Sequence, residues 1–239
     1  MRNLALMWVL AGVAVALLAA GDGKPSVSTY TDKRDGKVYK IVKIGSQVWF
    51  AENLNYAAEG SKCYGEDGRI FIKILVERDD NNKIKGFKEI TETLTDAEIQ
   101  ANCAKYGRLY NWETALKACP DGTHLPTDEE WAMLENYVGD STAGTKLKSS
   151  TGWNSDDGVP SGTDNYDFSA LPGGVSISDG NFGDAGNYGY WWNATESDSS
   201  LAWISGMGYQ TEGVFGSYYS HKTDLYSVRC VQDDEKGRK

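Results

Sequence analysis

Apolar residues recur at helical spacing most clearly between Thr127 and Gly139, T-D-E-E-W-A-M-L-E-N-Y-V-G. Trp131, Leu134 and Val138 share one face, and Thr127 followed by Glu130 forms a capping box that satisfies two backbone N–H groups at the helix start. Gly139 stands where a left-handed C-terminal cap is needed, so the pattern predicts a helix over 128–138. A second capping box, Thr95 with Glu98, opens a helix that runs to about Tyr106 and stops at Gly107. Asn111 caps a short helix, Trp112 to Ala118, which delivers Cys119.

Elsewhere the pattern is that of strands. Val38, Ile41, Ile44, Val48 and Phe50 fall in two runs around a Gly45-Ser46 turn, and a turn at Asp35-Gly36 adds Val27 to Thr31 as a third strand. Ile70 to Val76, a turn at Asp79 to Asn82, and Ile84 to Ile90 predict a hairpin with a polar tip, an excursion from the main fold. Two short strands flank an Asp179-Gly180 turn. Segments 189–196, 202–204, 213–215 and 226–231 then predict a terminal antiparallel meander. From Gly139 to Asn165 the chain is rich in Ser, Thr, Gly, Asp and Asn, and reads as ordered loop anchored by Trp153, Tyr166 and Phe168. Helices in the middle and strands at both ends predict an α+β domain whose two ends share a sheet.

Composition narrows this picture. With 239 residues, 40% hydrophobic and 12% aromatic, the chain suits one well-buried core with an insertion better than two domains. A net charge of −10 argues against nucleic acid and anionic membrane surfaces, which reward basic patches. Arg2 followed by apolar and small residues from Leu4 to Ala20 and a polar turn at Asp22 reads as a secretory signal cleaved after Gly21. Glycine rather than cysteine at position 21 removes the lipoprotein reading. An uncleaved anchor is the alternative, since the run is near the lower limit of about 17 residues for a span. The expected organisation is a signal peptide over 1–21, a linker and first strand over 22–37, a main domain over 38–233 carrying a 65–98 insertion, and a tail over 234–239. No membrane span remains once the signal is removed, and the expected location is the secreted fraction or surface of a bacterium.

Export bears on the cysteines. Cys63, Cys103, Cys119 and Cys230 permit three pairings, and two disulfides are expected in an oxidising compartment. Zinc is disfavoured, because no two cysteines lie within four residues and only two histidines exist.

Candidate chemistry is sparse. His124 lies in the turn before the capped helix, where an imidazole is expected to satisfy local backbone groups, and His221 has no identifiable nucleophile beside it. Asp128, Glu129, Asp156, Asp157 and Glu196 read as a solvated acidic surface. No metal or cofactor is expected; calcium is the one ion to consider, with Asp156, Asp157, Asp164, Asn165 and Asp167 as hard oxygen donors on a long loop, although their spacing matches no known calcium loop. Trp191, Trp192 and Trp203, with Tyr188, Tyr190, Tyr209, Tyr218 and Tyr219, concentrate rings in the last third of the chain. Rings beside Asn193 and Glu196 make a natural platform for sugar faces. The candidate ligand-binding residues are therefore Trp191, Trp192, Asn193, Glu196 and Trp203. Neighbours in a strand face opposite ways, so one of Trp191 and Trp192 is expected in the core and the other toward solvent.

Six motifs in one order go further: Q-V-W-F-A-E-N-L-N-Y (Gln47 to Tyr56), K-Y-G-R-L-Y-N-W (Lys105 to Trp112), C-P-D-G-T-H-L-P-T-D-E-E-W (Cys119 to Trp131), L-P-G-G (Leu171 to Gly174), G-Y-W-W-N-A-T-E (Gly189 to Glu196) and S-V-R-C-V-Q-D (Ser227 to Asp233). Together they resemble the Fibrobacter succinogenes major paralogous domain family, which is similar to the formylglycine-generating sulfatase-modifying enzymes and more remotely to C-type lectin domains. The resemblance implies an irregular C-type lectin-like α+β fold, with two short main helices, antiparallel strands and long ordered loops. It also implies that Cys119 bonds Cys230 and Cys63 bonds Cys103. The family keeps the latter two only a few residues apart, so the 65–98 stretch is a departure of this chain. The related oxidases use a late pair of cysteines, and none lies between Cys119 and Cys230. Without a thiolate there is neither redox centre nor soft copper ligand. The expected function is an exported, non-catalytic binding domain whose ligand is a polysaccharide or a cell-surface protein. The alternative is an enzyme on a sulfatase-modifying-factor-like scaffold with a carboxylate-based site that no motif identifies.

Overall fold

The structure, a computed structural model, describes residues 26–79, 82–155, 162–177 and 180–233. The leader, the tail, Asp156 and Asp157, and the turn residues Asp80, Asn81 and Asp179 lie outside the described residues. Mixed α+β architecture with largely antiparallel sheets and few helices is what the chain adopts.

The N-terminal meander forms as its turns predict: β1 (Val27–Thr31), β2 (Val38–Ile44) and β3 (Gln47–Phe50) pair antiparallel, and Gly45 takes the positive φ of +60° that the two-residue turn between β2 and β3 requires. β4 (Ile70–Arg78) and β5 (Ile84–Glu92) form the hairpin of the insertion. Both capping boxes are closed, on α1 (Asp96–Tyr106) by Thr95 and Glu98 and on α3 (Asp128–Val138) by Thr127 and Glu130. Between them lie β6 (Leu109–Tyr110), the Asn111-capped α2 (Trp112–Ala118) and β7 (Thr123–His124). After α3, the stretch read as loop contains a short helix, α4 (Ala143–Leu147), whose buried Ala143 and Leu147 pack with Val138. The remaining strands are β8 (Val175–Ser176), β9 (Phe182–Gly183), β10 (Tyr188–Glu196), β11 (Leu201–Gly208), β12 (Phe215–His221), β13 (Tyr226–Ser227) and β14 (Val231–Gln232).

Two expectations about the last third need correction. The strand placed at 213–215 instead begins at Phe215 and runs on through Ser217-Tyr218-Tyr219-Ser220 to His221. The strand placed at 226–231 is two pieces. β13 runs parallel to β10, so the terminal meander is antiparallel only through β10, β11 and β12. The break at Val228–Cys230 lets the chain leave one sheet and enter another.

The two ends do share a sheet, ordered β1-β2-β3-β14-β7. A second sheet is ordered β12-β11-β10-β13-β6 and a third β5-β4-β9-β8. Two buried clusters alternate along the strands. Tyr39, Ile41 and Phe50 join Trp192 and the α2 face in one, while Val42, Ile44 and Trp49 join Trp191 and the α3 face in the other. Disulfides Cys119–Cys230 (Cα–Cα 5.8 Å) and Cys63–Cys103 (5.0 Å) complete the frame. The first ties the end of α2 to the segment entering β14, and the second closes the base of the hairpin. Such bonds fit an oxidising environment. No helix among the described residues is long and apolar enough to cross a membrane.

Candidate functional site

β10 is the middle strand of its sheet, and that position decides the fate of the tryptophans. Alternation sends Trp191 and Trp192 to opposite faces as expected, but both faces are covered and both rings are fully buried. The expectation that one faces solvent is therefore corrected. Trp191 Nε1 donates to Asn53 Oδ1 at 2.9 Å, and Trp192 Nε1 donates to the Tyr110 carbonyl at 2.7 Å. Asn193 is also fully buried. Its amide donates to Asp128 Oδ1 at 3.2 Å and its oxygen accepts from Ser205 Oγ at 3.2 Å, so it latches the start of α3 to the second sheet. Glu196 is exposed and pairs with Lys222, whose Nζ lies 4.4 Å above the Trp112 ring. Trp203 is half-buried and meets the exposed Tyr219 edge to face, with ring centroids 5.8 Å apart. Of the five residues, only Glu196 and Trp203 reach the surface.

The opposite face of β11 and β12 carries what the tryptophans do not. There Tyr188, Tyr190, Ile204, Phe215 and Tyr218 line an open groove of about 460 Å³. Two glycines on β11 shape it: Gly206 lies opposite Tyr190 and Phe215, and Gly208 opposite Tyr188. A Cβ on Gly206 would meet Phe215 Cε2 at 2.2 Å, and one on Gly208 would meet Tyr188 Cε1 at 2.8 Å. The rings of Phe215 and Tyr188 thus occupy the space that side chains at these two positions would fill. Tyr188 stacks on Tyr190 at 5.7 Å with only 16° between their planes, and Phe215 meets Tyr218 at 5.8 Å. Tyr218 is 60% exposed. The result is an aromatic row along one sheet surface, with Tyr188 and Tyr190 stacked and Phe215 set edge-on to both and to Tyr218.

Polar groups edge this row. Tyr190 Oη approaches Asp184 Oδ2 at 3.4 Å, and burial raises the pKa of both groups. Ser220 Oγ donates to Asp224 Oδ2 at 2.8 Å and lies 2.9 Å from Tyr226 Oη, whose pKa burial pushes up to about 12. These phenols stay neutral near pH 7, able both to donate and to accept hydrogen bonds. His221, next to Ser220 in the strand, belongs to the other face, so Ser220 and Asp224 are not assembled with an imidazole.

Other candidates resolve differently. His124 does not satisfy local backbone groups as expected. Its Nδ1 lies 2.7 Å from Asp233 Oδ1 and its Nε2 2.8 Å from Glu130 Oε1. The bond to Glu130, opposed by burial and aided by Asp233, raises its pKa to about 9, so it is a cationic clamp joining β7, α3 and the residue after β14. Of the loop carboxylates weighed for calcium, Asp164 accepts from Ser169 N at 2.7 Å and from Ser169 Oγ at 2.6 Å, bracing its own turn. Among the described residues no group of three or more His, Cys, Asp or Glu is placed to hold a metal. A second cleft, of about 310 Å³, lies beside the end of α1 between Lys37, Lys40, Glu52 and Lys105. The amides of Asn53 and Asn55 on its wall already donate to the carbonyls of Tyr106 and Cys103.

The groove was within reach of the sequence. Its tyrosines stand in the aromatic-rich stretch, and the signal that selects them over the tryptophans is the Gly206-Met207-Gly208 spacing on the neighbouring strand. Among protein-family models, one described as the Fibrobacter succinogenes major domain matches residues 42–232. No curated protein and no solved structure matches the chain.

Proposed function

Since the chain belongs to the Fibrobacter succinogenes major domain family, we propose that it is an exported, non-catalytic binding domain, secreted or on a bacterial cell surface, whose aromatic groove holds a polysaccharide. One observation carries this reading: the rings of Tyr188 and Phe215 pack closely over Gly208 and Gly206, with Tyr218 60% exposed beside them. Flat apolar faces edged by neutral hydroxyls suit sugar rings, which present C–H faces and hydroxyl rims. The ligand chemistry is that of a neutral glycan, because Asp184 and the net charge of −10 disfavour an acidic one. A C-type lectin-like scaffold similar to the sulfatase-modifying enzymes is the finer fold reading. The tie from α2 to the segment entering β14 and the sheet shared by both ends support it.

A glycan array probed with the mature protein, with and without calcium, tests the proposal. Binding of neutral glycans that is lost in Tyr218→Ala and Tyr188→Ala is the expected result. Absence of any glycan binding, or binding that survives both substitutions, would overturn it. Retention of an envelope protein in place of glycans would keep the domain a binder and change its ligand.

A further inference from the structure

The insertion hairpin ends the third sheet, and β5 is its outermost strand. Among the described residues, no other strand or loop bonds to the outer edge of β5. From Gly86 to Glu92 every residue of β5 has a successive partner on β4. The register shift between Phe71 and Lys73 is absorbed by β4, and the other falls beyond Gly86. The free edge is thus seven residues of regular strand, with Lys88, Glu89 and Glu92 exposed and Ile90 and Thr91 half-buried. Unpaired edges of this length recruit other strands unless something prevents it.

We infer that this edge pairs, antiparallel and about a two-fold axis, with the β5 edge of a second copy of the chain. The sequence of β5 is charge-palindromic about Ile90. Centring the axis there sets Ile90 opposite its own copy, Lys88 opposite Glu92 and Glu92 opposite Lys88. Two opposite-charge cross-strand pairs flank an apolar one on the same face, the arrangement that favours pairing. Centring the axis on Lys88 or Glu89 instead sets like charge against like. Within the regular stretch from Gly86 to Glu92, charge thus disfavours the axes at Lys88 and Glu89 and favours the one at Ile90. The interface is isologous, so each copy supplies the same strand and assembly stops at two. Val76 and Ile84, 45% and 55% exposed, add apolar surface on the ribbon. The Cys63–Cys103 bond and the Ile70 to Phe182 pairing hold its base to the body of the domain.

Sedimentation equilibrium of the full chain across a wide concentration range tests the inference. A reversible monomer–dimer equilibrium is expected for the wild type. Lys88→Glu and Glu92→Lys should each weaken it about tenfold or more, since each turns both attractive pairs repulsive. A one-to-one mixture of the two single variants should form a heterodimer, and the double swap should restore the homodimer. Circular dichroism melts check that each variant is folded. A wild type that stays monomeric at its solubility limit, variants that associate as well as the wild type, or a mixture no tighter than its components would each overturn it.

Discussion

Arg229 is fully buried, and among the described residues no carboxylate bonds to it. Its fork donates to Asn53 Oδ1 at 2.9 Å and to the carbonyls of Phe50, Phe168 and Ser169, and its plane lies 4.4 Å from the Phe168 ring centroid. Burial lowers its pKa to about 9, which leaves it charged at neutral pH. Carbonyl dipoles and an aromatic face thus do the work of a counter-ion, and they come from two separate stretches of chain, 50–53 and 168–169. Arg229→Met strips the donors from those buried oxygens and should cost about 3 kcal/mol in urea unfolding. Arg229→Lys should rescue little, because an ammonium cannot reproduce the fork. His124 gives a pH-dependent counterpart. With a folded pKa near 9 against an ordinary 6.5, its contribution to stability is complete below pH 6.5 and is lost as pH rises through 9. The melting temperature should fall across that window in the wild type and lose that part of the fall in His124→Gln, as read by calorimetry at a series of pH values. Neither role was legible in the sequence. Arg229 lies in an unremarkable S-V-R-C run, and the carboxylates of His124 come from six and 109 residues away.

Elements declared by local chemistry were legible, and those declared by distant partners were not. The capping boxes of α1 and α3 and the asparagine cap of α2 are self-contained signals, and each helix begins and ends where they place it. β12 escaped because neither of its faces is apolar in the usual sense: one looks into the groove and the other holds Tyr219 against Trp203. The break between β13 and β14 depends on which sheet each piece joins, which no short-range pattern records. The groove is a property of paired strands, since ring placement on β10 and β12 is dictated by glycines on β11. Gly206→Ala should displace the Phe215 ring, cost about 1–3 kcal/mol by thermal unfolding, and weaken ligand capture.

For the whole molecule, Cys119–Cys230 closes a loop of 111 residues across the core. Reducing it, or replacing both residues with alanine, should lower stability by about 2–5 kcal/mol in guanidinium unfolding. The fold class and this tie followed from the motifs and the resemblance they support, because those motifs lie on the N-terminal meander, α3 and the C-terminal segment, which the shared sheet, a common core and this bond hold together. The Cys63–Cys103 staple has a different consequence. It clamps the two legs of the ribbon where they leave the body, so the chain beyond is insulated from the cooperative unit beneath. Length and composition can drift there without cost to the domain beneath, which makes the loop a socket for foreign cargo: a peptide epitope or reporter spliced between residues 71 and 91 should leave the melting temperature nearly unchanged when read at a concentration where the chain is monomeric.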